Sequence, residues 1–347
     1  MSSQPMARGS GAVALAAGIV ALEFGAAVTS FVASTLLPLV ATALDAWNRL
    51  GLLTAGTTLG LFVALPLASR VVRRLGARVT LTLGLIGYIA GLGVAASALV
   101  AWTFALGQFV AGLAGGVLGV FGVSSAIEQL DEKLRVRVVA ASSAMWIVPA
   151  LVGPAATLAL AHLVGWRWTV LAPVPIVLAG RLFIARAALS TARQETPARP
   201  VARALLVPIG AAAVASNVGG WPVALAGAAI ALAGISALLP PGTARARRGT
   251  PAAVGAMVLF AFGYFGADSL VTVLLTLGYR TSLARAAVVL SAAPLAWGLT
   301  SLLAARLVRR HGKTVFPVLG LTLAAAGVAV LSAMLLVAPS FPAALAA

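Results

Sequence analysis

Long apolar runs alternate with short polar stretches rich in arginine along most of the chain. A membrane-spanning helix needs about 20 mainly apolar residues. That rule predicts eleven spans, at 12–36, 50–69, 79–100, 103–126, 139–163, 168–187, 204–218, 221–240, 252–277, 283–304 and 314–337. The tail Ala338–Ala347 is too short for a twelfth. Asn217-Val218-Gly219-Gly220 reads as the turn between the seventh and eighth spans. Pro149, Pro154, Pro173 and Pro294 fall inside spans, where neighbouring helices can satisfy the carbonyls that proline frees. The first run is longer than the apolar core of a signal peptide and is interrupted by Glu23, so it reads as an uncleaved first helix.

Composition supports the membrane reading. Of 347 residues, 61% are hydrophobic and 9% charged. A soluble domain carries roughly 25% charged residues, so this chain cannot cover a water-facing surface. Soluble enzymes, disulfide scaffolds and disordered chains are excluded. The absence of cysteine excludes disulfides, zinc–thiolate sites and thiol catalysis.

The net charge is +17, from 24 Lys+Arg against 7 Asp+Glu. The basic residues sit between apolar runs rather than on one face, so anionic headgroups are the expected partner and nucleic acid is not. With a cytoplasmic N-terminus, 20 of the 24 fall in inside segments. Arg49, Arg167, Arg280 and Arg285 fall outside. This asymmetry sets the predicted orientation, and eleven spans then put the C-terminus outside.

Two loops share a register. The first runs from Ala68 through Arg73, Arg74 and Gly76 to Arg78. The second runs from Ala304 through Arg309, Arg310 and Gly312 to Thr314. Repeats of this kind are expected of transporters built from two related bundles. At this point the chain resembles the major facilitator superfamily, in particular its fourteen-helix drug:proton antiporter branch of actinobacterial type. Four stretches carry the resemblance. They are Glu23 through Leu37-Pro38 to Leu44; the two basic loops, which match part of the family's G-x-x-x-D-R-x-G-R-K motif; Trp146 to Pro154 followed by Gly165-Trp166-Arg167, like the antiporter signature of helix five; and Gly266-Ala267-Asp268 to Trp297.

The resemblance implies an all-α polytopic membrane protein with major-facilitator-like helical bundles. A six-helix bundle would occupy 1–189, a linker with two extra helices 190–251, and a C-terminal bundle 252–347. That last bundle holds three spans where the family has six, so the resemblance implies an incomplete second bundle and a chain truncated at its C-terminus. Two departures stand out. Position five of the loop motif, normally Asp, is Arg73 and Arg309. The fourth-helix motif L-x-x-x-R-x-x-Q-G, anchored on Gly112, has Phe104, Gln108 and Ala111 at its Leu, Arg and Gln positions.

Few groups can do chemistry. Asp45, Asp131, Glu132 and Glu195 read as loop charges, and Glu128 as the inner end of helix four. Glu23 and Asp268 lie inside apolar spans, where an ionised carboxylate costs on the order of 2.5–3.5 kcal/mol. Such residues usually face a cavity and mark a pathway. Phe24-Gly25-Ala26 echoes Phe265-Gly266-Ala267, so the two acids occupy related positions. They are the candidate sites for a proton or another cation. The competing reading is an acid hydrogen-bonded between helices with no transport role.

Gly112/Gly116 and Gly115/Gly119 are small-xxx-small pairs suited to close helix packing, not a phosphate loop, which would need a following Lys-Ser/Thr. Pro149, Gly153 and Pro154 are candidates for bending helix five. Trp146, Tyr264 and Trp297 are candidate walls of an apolar pocket. His162 and His311 fall near opposite membrane faces and cannot share a metal, so neither metal nor cofactor is expected.

The expected function is secondary active transport, with efflux of lipophilic or drug-like small molecules by alternating access, in the bacterial plasma membrane. The alternative is a truncated, non-transporting membrane protein or partner subunit. An enzyme is not expected, because too few titratable groups lie together.

Overall fold

The computed structural model describes residues 9–185, 201–216, 218–292 and 315–334, together with 295, 296 and 300. Helices α1 (Gly9–Ala43), α2 (Leu50–Ala96), α3 (Ala101–Gln129), α4 (Glu132–Ala144), α5 (Ile147–Val170) and α6 (Val174–Ala185) come first. They are followed by α7 (Val201–Ser216), α8 (Gly220–Leu238), α9 (Thr250–Val273), α10 (Leu283–Ala292) and α11 (Val315–Met334). No strand occurs among the described residues. By length and composition five helical segments can cross a membrane: Gly11–Ala43, Trp47–Ala96, Ala101–Ser125, Ile147–Val170 and Gly220–Leu238. Shorter apolar helices lie at Val174–Ala185, Ala202–Ser216, Thr250–Tyr264, Leu283–Ala292 and Val318–Ala333. Large apolar side chains such as Ile86, Leu151, Leu232 and Phe262 point outward, as expected where lipid rather than water is the solvent.

Helix α2 contains two of the expected spans. Its 47 residues would reach about 70 Å if straight, more than twice the hydrocarbon thickness of roughly 30 Å. It is broken at Gly76 (φ 78°, ψ 164°), and α3 shows that the chain reverses there. Along the first half, Gly56 abuts Ala105 and Gln108, Gly60 abuts Phe109 to Leu113, and Gly116 abuts Ala64, so the two helices run parallel. Along the second half, Gly84 abuts Leu118 and Gly91 abuts Gly107 and Ala111, so they run antiparallel. Two crossings therefore flank α3, joined by a one-glycine turn.

The chain forms two compact units. The first comprises Met1–Ala33, Leu39–Met145 and Leu160–Leu238. In it α1 packs antiparallel to α6, with Gly18 against Gly180 and Ile184 and Gly25 against Val177. Helices α7 and α8 form an antiparallel hairpin through Gly210, Gly227 and Gly234, and Ala215 meets Gly51 at the start of α2. The hairpin turn is at Val218-Gly219 as expected, while Asn217 lies outside the described residues.

The second unit comprises Ser34–Pro38, Trp146–Ala159 and Leu239–Ala347. Pro38 lacks the N–H that would bond the Ser34 carbonyl four residues back. The buried hydroxyl of Thr272 on α9 donates to that carbonyl instead, at 2.9 Å. Helix α9 continues into a π-turn at Leu274–Gly278, and the hydroxyl of Tyr279 donates to the Leu331 carbonyl of α11 at 2.5 Å.

Candidate functional site

Glu23 lies 14 residues into the 35-residue apolar helix α1. One turn earlier, Ile19 meets Gly122 of α3, so Glu23 shares the α1 face turned toward α3 rather than the face packed on α6. The residue is half-buried. Its carboxylate makes no hydrogen bond or ion pair among the described residues. Two turns on, Thr29 bonds the Gly25 carbonyl at 2.7 Å and the Tyr88 hydroxyl of α2, which ties α1 to the second half of α2. The acid therefore sits where three helices converge, with its neighbours paired and itself unpaired.

Gln108 is 3% exposed. Its side-chain carbonyl accepts the Thr57 hydroxyl at 3.2 Å, beneath the close approach of Gly56. At the family's arginine position this chain thus places a neutral amide that joins α3 to α2.

Helix five carries the candidate prolines and a separate glycine break. Pro149, in its first turn, and Pro154 are both buried, but α5 runs helically through Pro154. The non-helical residue in it is Gly165 (φ 83°, ψ 161°). A proline in a first helical turn gives up an N–H that has no intrahelical partner anyway. Gly153 is half-buried. Trp146 stands in the turn before α5 and is 40% exposed. Tyr264 stacks on Phe260 of its own helix, with ring centroids 5.5 Å apart.

Arg73, Arg74 and Arg78 are exposed around Gly76. Nearby, Arg181 of α6 donates to the Thr82 hydroxyl at 3.2 Å. Asp268 lies on α9, but its side chain is outside the described residues, as are Trp297, Arg309, Arg310 and Gly312.

Two features had escaped the sequence reading. Asp131 is more than a loop charge: its carboxylate accepts the Leu134 N–H at 2.7 Å and caps α4, and an Asp three residues before a helical position is the usual signal. Arg167 is more than an outside charge. It lies 4.3 Å over the Trp166 ring, donates to the Ala98 carbonyl at 2.9 Å, and Trp166 meets Phe104 edge-on at 6.3 Å. The Trp-Arg pair after a turn glycine was the available clue.

Several apolar helices long enough to cross a bilayer define a polytopic membrane protein. The Major Facilitator Superfamily model matches residues 19–347, and the chain belongs to that family of membrane transporters. Among curated proteins no sequence matches it. Solved structures of similar fold include the POT family transporter PepTSo, with 15% identity and a TM-score of 0.61 over 96% of this chain and 80% of that one. A D-xylose-proton symporter gives 16% and 0.60 over 96% and 79%. The partially occluded, inward-open xylose transporter XylE from E. coli gives 15% and 0.58 over 96% and 82%. At these identities the likeness is one of fold.

Proposed function

We propose that this transporter moves lipophilic or drug-like small molecules out of a bacterial cell by alternating access, in exchange for protons or another cation. Glu23 is the principal coupling residue, with Asp268 the second acid at the related position of the other bundle. The observation that carries this reading is the half-buried Glu23 carboxylate, unpaired among the described residues at the middle of an apolar helix. An ion in that place is costly unless a proton or cation neutralises it. Binding and release of that charge therefore favour different helix arrangements, which is what coupling requires. Export of apolar compounds rests on the helix-five likeness to drug antiporters. The similar solved structures include a proton symporter for D-xylose, which makes proton coupling the natural form of the exchange. The proposed orientation has a cytoplasmic N-terminus, with Arg70, Arg73, Arg74 and Arg78 on the inside. In this reading residues 1–189 form the first bundle, 190–251 the linker helices and 252–347 the second bundle.

The test is dye movement in proteoliposomes with an imposed pH gradient. Wild-type protein should drive a lipophilic dye against its gradient, and Glu23→Gln should fall to the rate of empty liposomes while melting at the wild-type temperature. Asp268→Asn should give a smaller loss. Gradient-driven transport by Glu23→Gln at the wild-type rate would remove the acid from the mechanism. Movement of D-xylose but no dye would replace the substrate class.

A further inference from the structure

The first unit holds a cavity of about 170 Å³ lined by Asn48, Arg49, Trp102, Ser216 and Val218. Its position in the fold is set by helix ends. Helix α2 begins at Leu50 and α3 at Ala101, and the two run parallel from there. Helix α7 ends at Ser216 and α8 begins at Gly220. Four helices thus terminate at one level, about 35–40 Å along the first half of α2 from the basic turn at Gly76. Since the hydrocarbon core is roughly 30 Å thick, a helix of that length starting at the basic turn puts this level at the opposite headgroup region. Trp102 (45% exposed) and Trp221 (75% exposed) stand at this end, as tryptophans do at membrane interfaces.

The lining holds one cation, Arg49, which like Asn48 is exposed. Neither the Arg49 guanidinium nor the Asn48 amide has a partner among the described residues, although Asp45 is only four residues from Arg49. Among the described residues no acid lines the cavity. Ser216 has spent its proton on the Ala213 carbonyl, at 3.0 Å, so the available side-chain donors are Arg49, Asn48 and the Trp102 indole N–H. Three helix N-termini (α2, α3 and α8) against one C-terminus (α7) leave the helix dipoles net positive as well. The volume corresponds to about six waters of liquid, enough for a phosphodiester and the glycerol beside it. Around it Val100, Val218 and Leu99 present exposed apolar surface along which acyl chains can lie.

We propose that this cavity is a binding site for the phosphate of an anionic phospholipid, held by Arg49 and Asn48 and seated between the α7–α8 hairpin and the starts of α2 and α3. It is separate from Glu23 and independent of the transported substrate. It also accounts for an arginine at the end of α2 opposite its basic turn.

Native mass spectrometry of the intact chain, titrated with phosphatidylglycerol, tests the site. One lipid should be retained per chain. Arg49→Gln should weaken that binding about fivefold to tenfold, as loss of one interfacial cation implies, while Arg248→Gln leaves it unchanged. Val218→Trp, at an exposed position, should fill the cavity and also release the lipid, which keeps the test sound if Arg49→Gln fails to fold. Equal retention of phosphatidylglycerol by wild type and by folded Arg49→Gln or Val218→Trp would overturn the proposal. Displacement of the lipid by millimolar inorganic phosphate would overturn the lipid as occupant in favour of a soluble anion.

Discussion

The crossing of α3 with α2 and the breaks at Gly76 and Gly165 both depend on glycine, for opposite reasons. At the crossing the backbone is ordinary helix and the space is missing. A Cβ on Gly112 would lie 2.1 Å from the Thr57 carbonyl oxygen, and one on Gly60 the same distance from that of Phe109. At the breaks the space is open, with nothing within 4 Å of a Cβ at either position, and the dihedrals are the constraint. The breaks are nearly identical, with φ 78° and ψ 164° at Gly76 and φ 83° and ψ 161° at Gly165. Yet their surroundings differ: the arginines around Gly76 are exposed, whereas Arg167 beside Gly165 is bonded to Ala98 and laid on Trp166. One residue type thus serves contact between helices in one region and reversal of the chain in another.

The largest effect should come from filling the crossing. Gly112→Ala forces two backbones apart, because the opposing atoms are main chain and cannot rotate away. A loss of about 3 kcal/mol, the upper end of ordinary overpacking, is expected, read as thermal unfolding in detergent. Gly60→Ala should cost a similar amount. The double variant should cost less than the sum, since both substitutions separate the same pair of helices. A wild-type melting temperature for Gly112→Ala would mean that the crossing is loose.

The turn comes next. Gly76 has a positive φ with ψ near 160°, a region that only glycine visits freely, at a cost of order 1–3 kcal/mol for other residues. Asparagine tolerates the left-handed helical region, where ψ is near 47°, but not this one. Gly76→Asn and Gly76→Ala should therefore destabilise alike in the same melting assay. A clear advantage for asparagine would show that the turn relaxes toward left-handed helix and that the two glycine roles are less distinct.

Much of this architecture is legible in the sequence because apolar run length and basic punctuation report directly on membrane crossings. The expected ends at 50 and 100 bracket α2 to within a few residues, and the reversal falls on Gly76 inside the loop read from its arginines. What a linear pattern lacks is the identity of the opposing helix. It therefore treats Gly112/Gly116 and Gly115/Gly119 as equal pairs, although Gly116 meets Ala64 and Leu61 while Gly119 meets nothing within 4 Å. It likewise gives no hint that Gln108 bonds Thr57, or that Thr272 answers the carbonyl freed by Pro38, since both partners are distant in sequence. Glu23 stands out because charge in an apolar run is costly wherever the helix packs. Its unpaired state depends on neighbours and needs the fold.

The smallest effect sharpens the comparison furthest. Gly119 lies on α3, two turns from Gly112, in regular helix. A Cβ there meets open space, so neither argument for glycine applies. Alanine at an unstrained helical position is favoured over glycine by roughly 0.5–1 kcal/mol. Gly119→Ala should accordingly leave the melting temperature unchanged or raise it slightly. Gly115→Ala should fall between the extremes, its Cβ 3.8 Å from the Tyr88 ring and thus at ordinary contact distance. A graded series, with Gly112→Ala severe, Gly115→Ala mild and Gly119→Ala neutral, is what packing against α2 demands. If Gly119→Ala were as harmful as Gly112→Ala, the glycines of α3 would be serving the flexibility of that helix rather than its fit, and close approach would no longer explain the crossing.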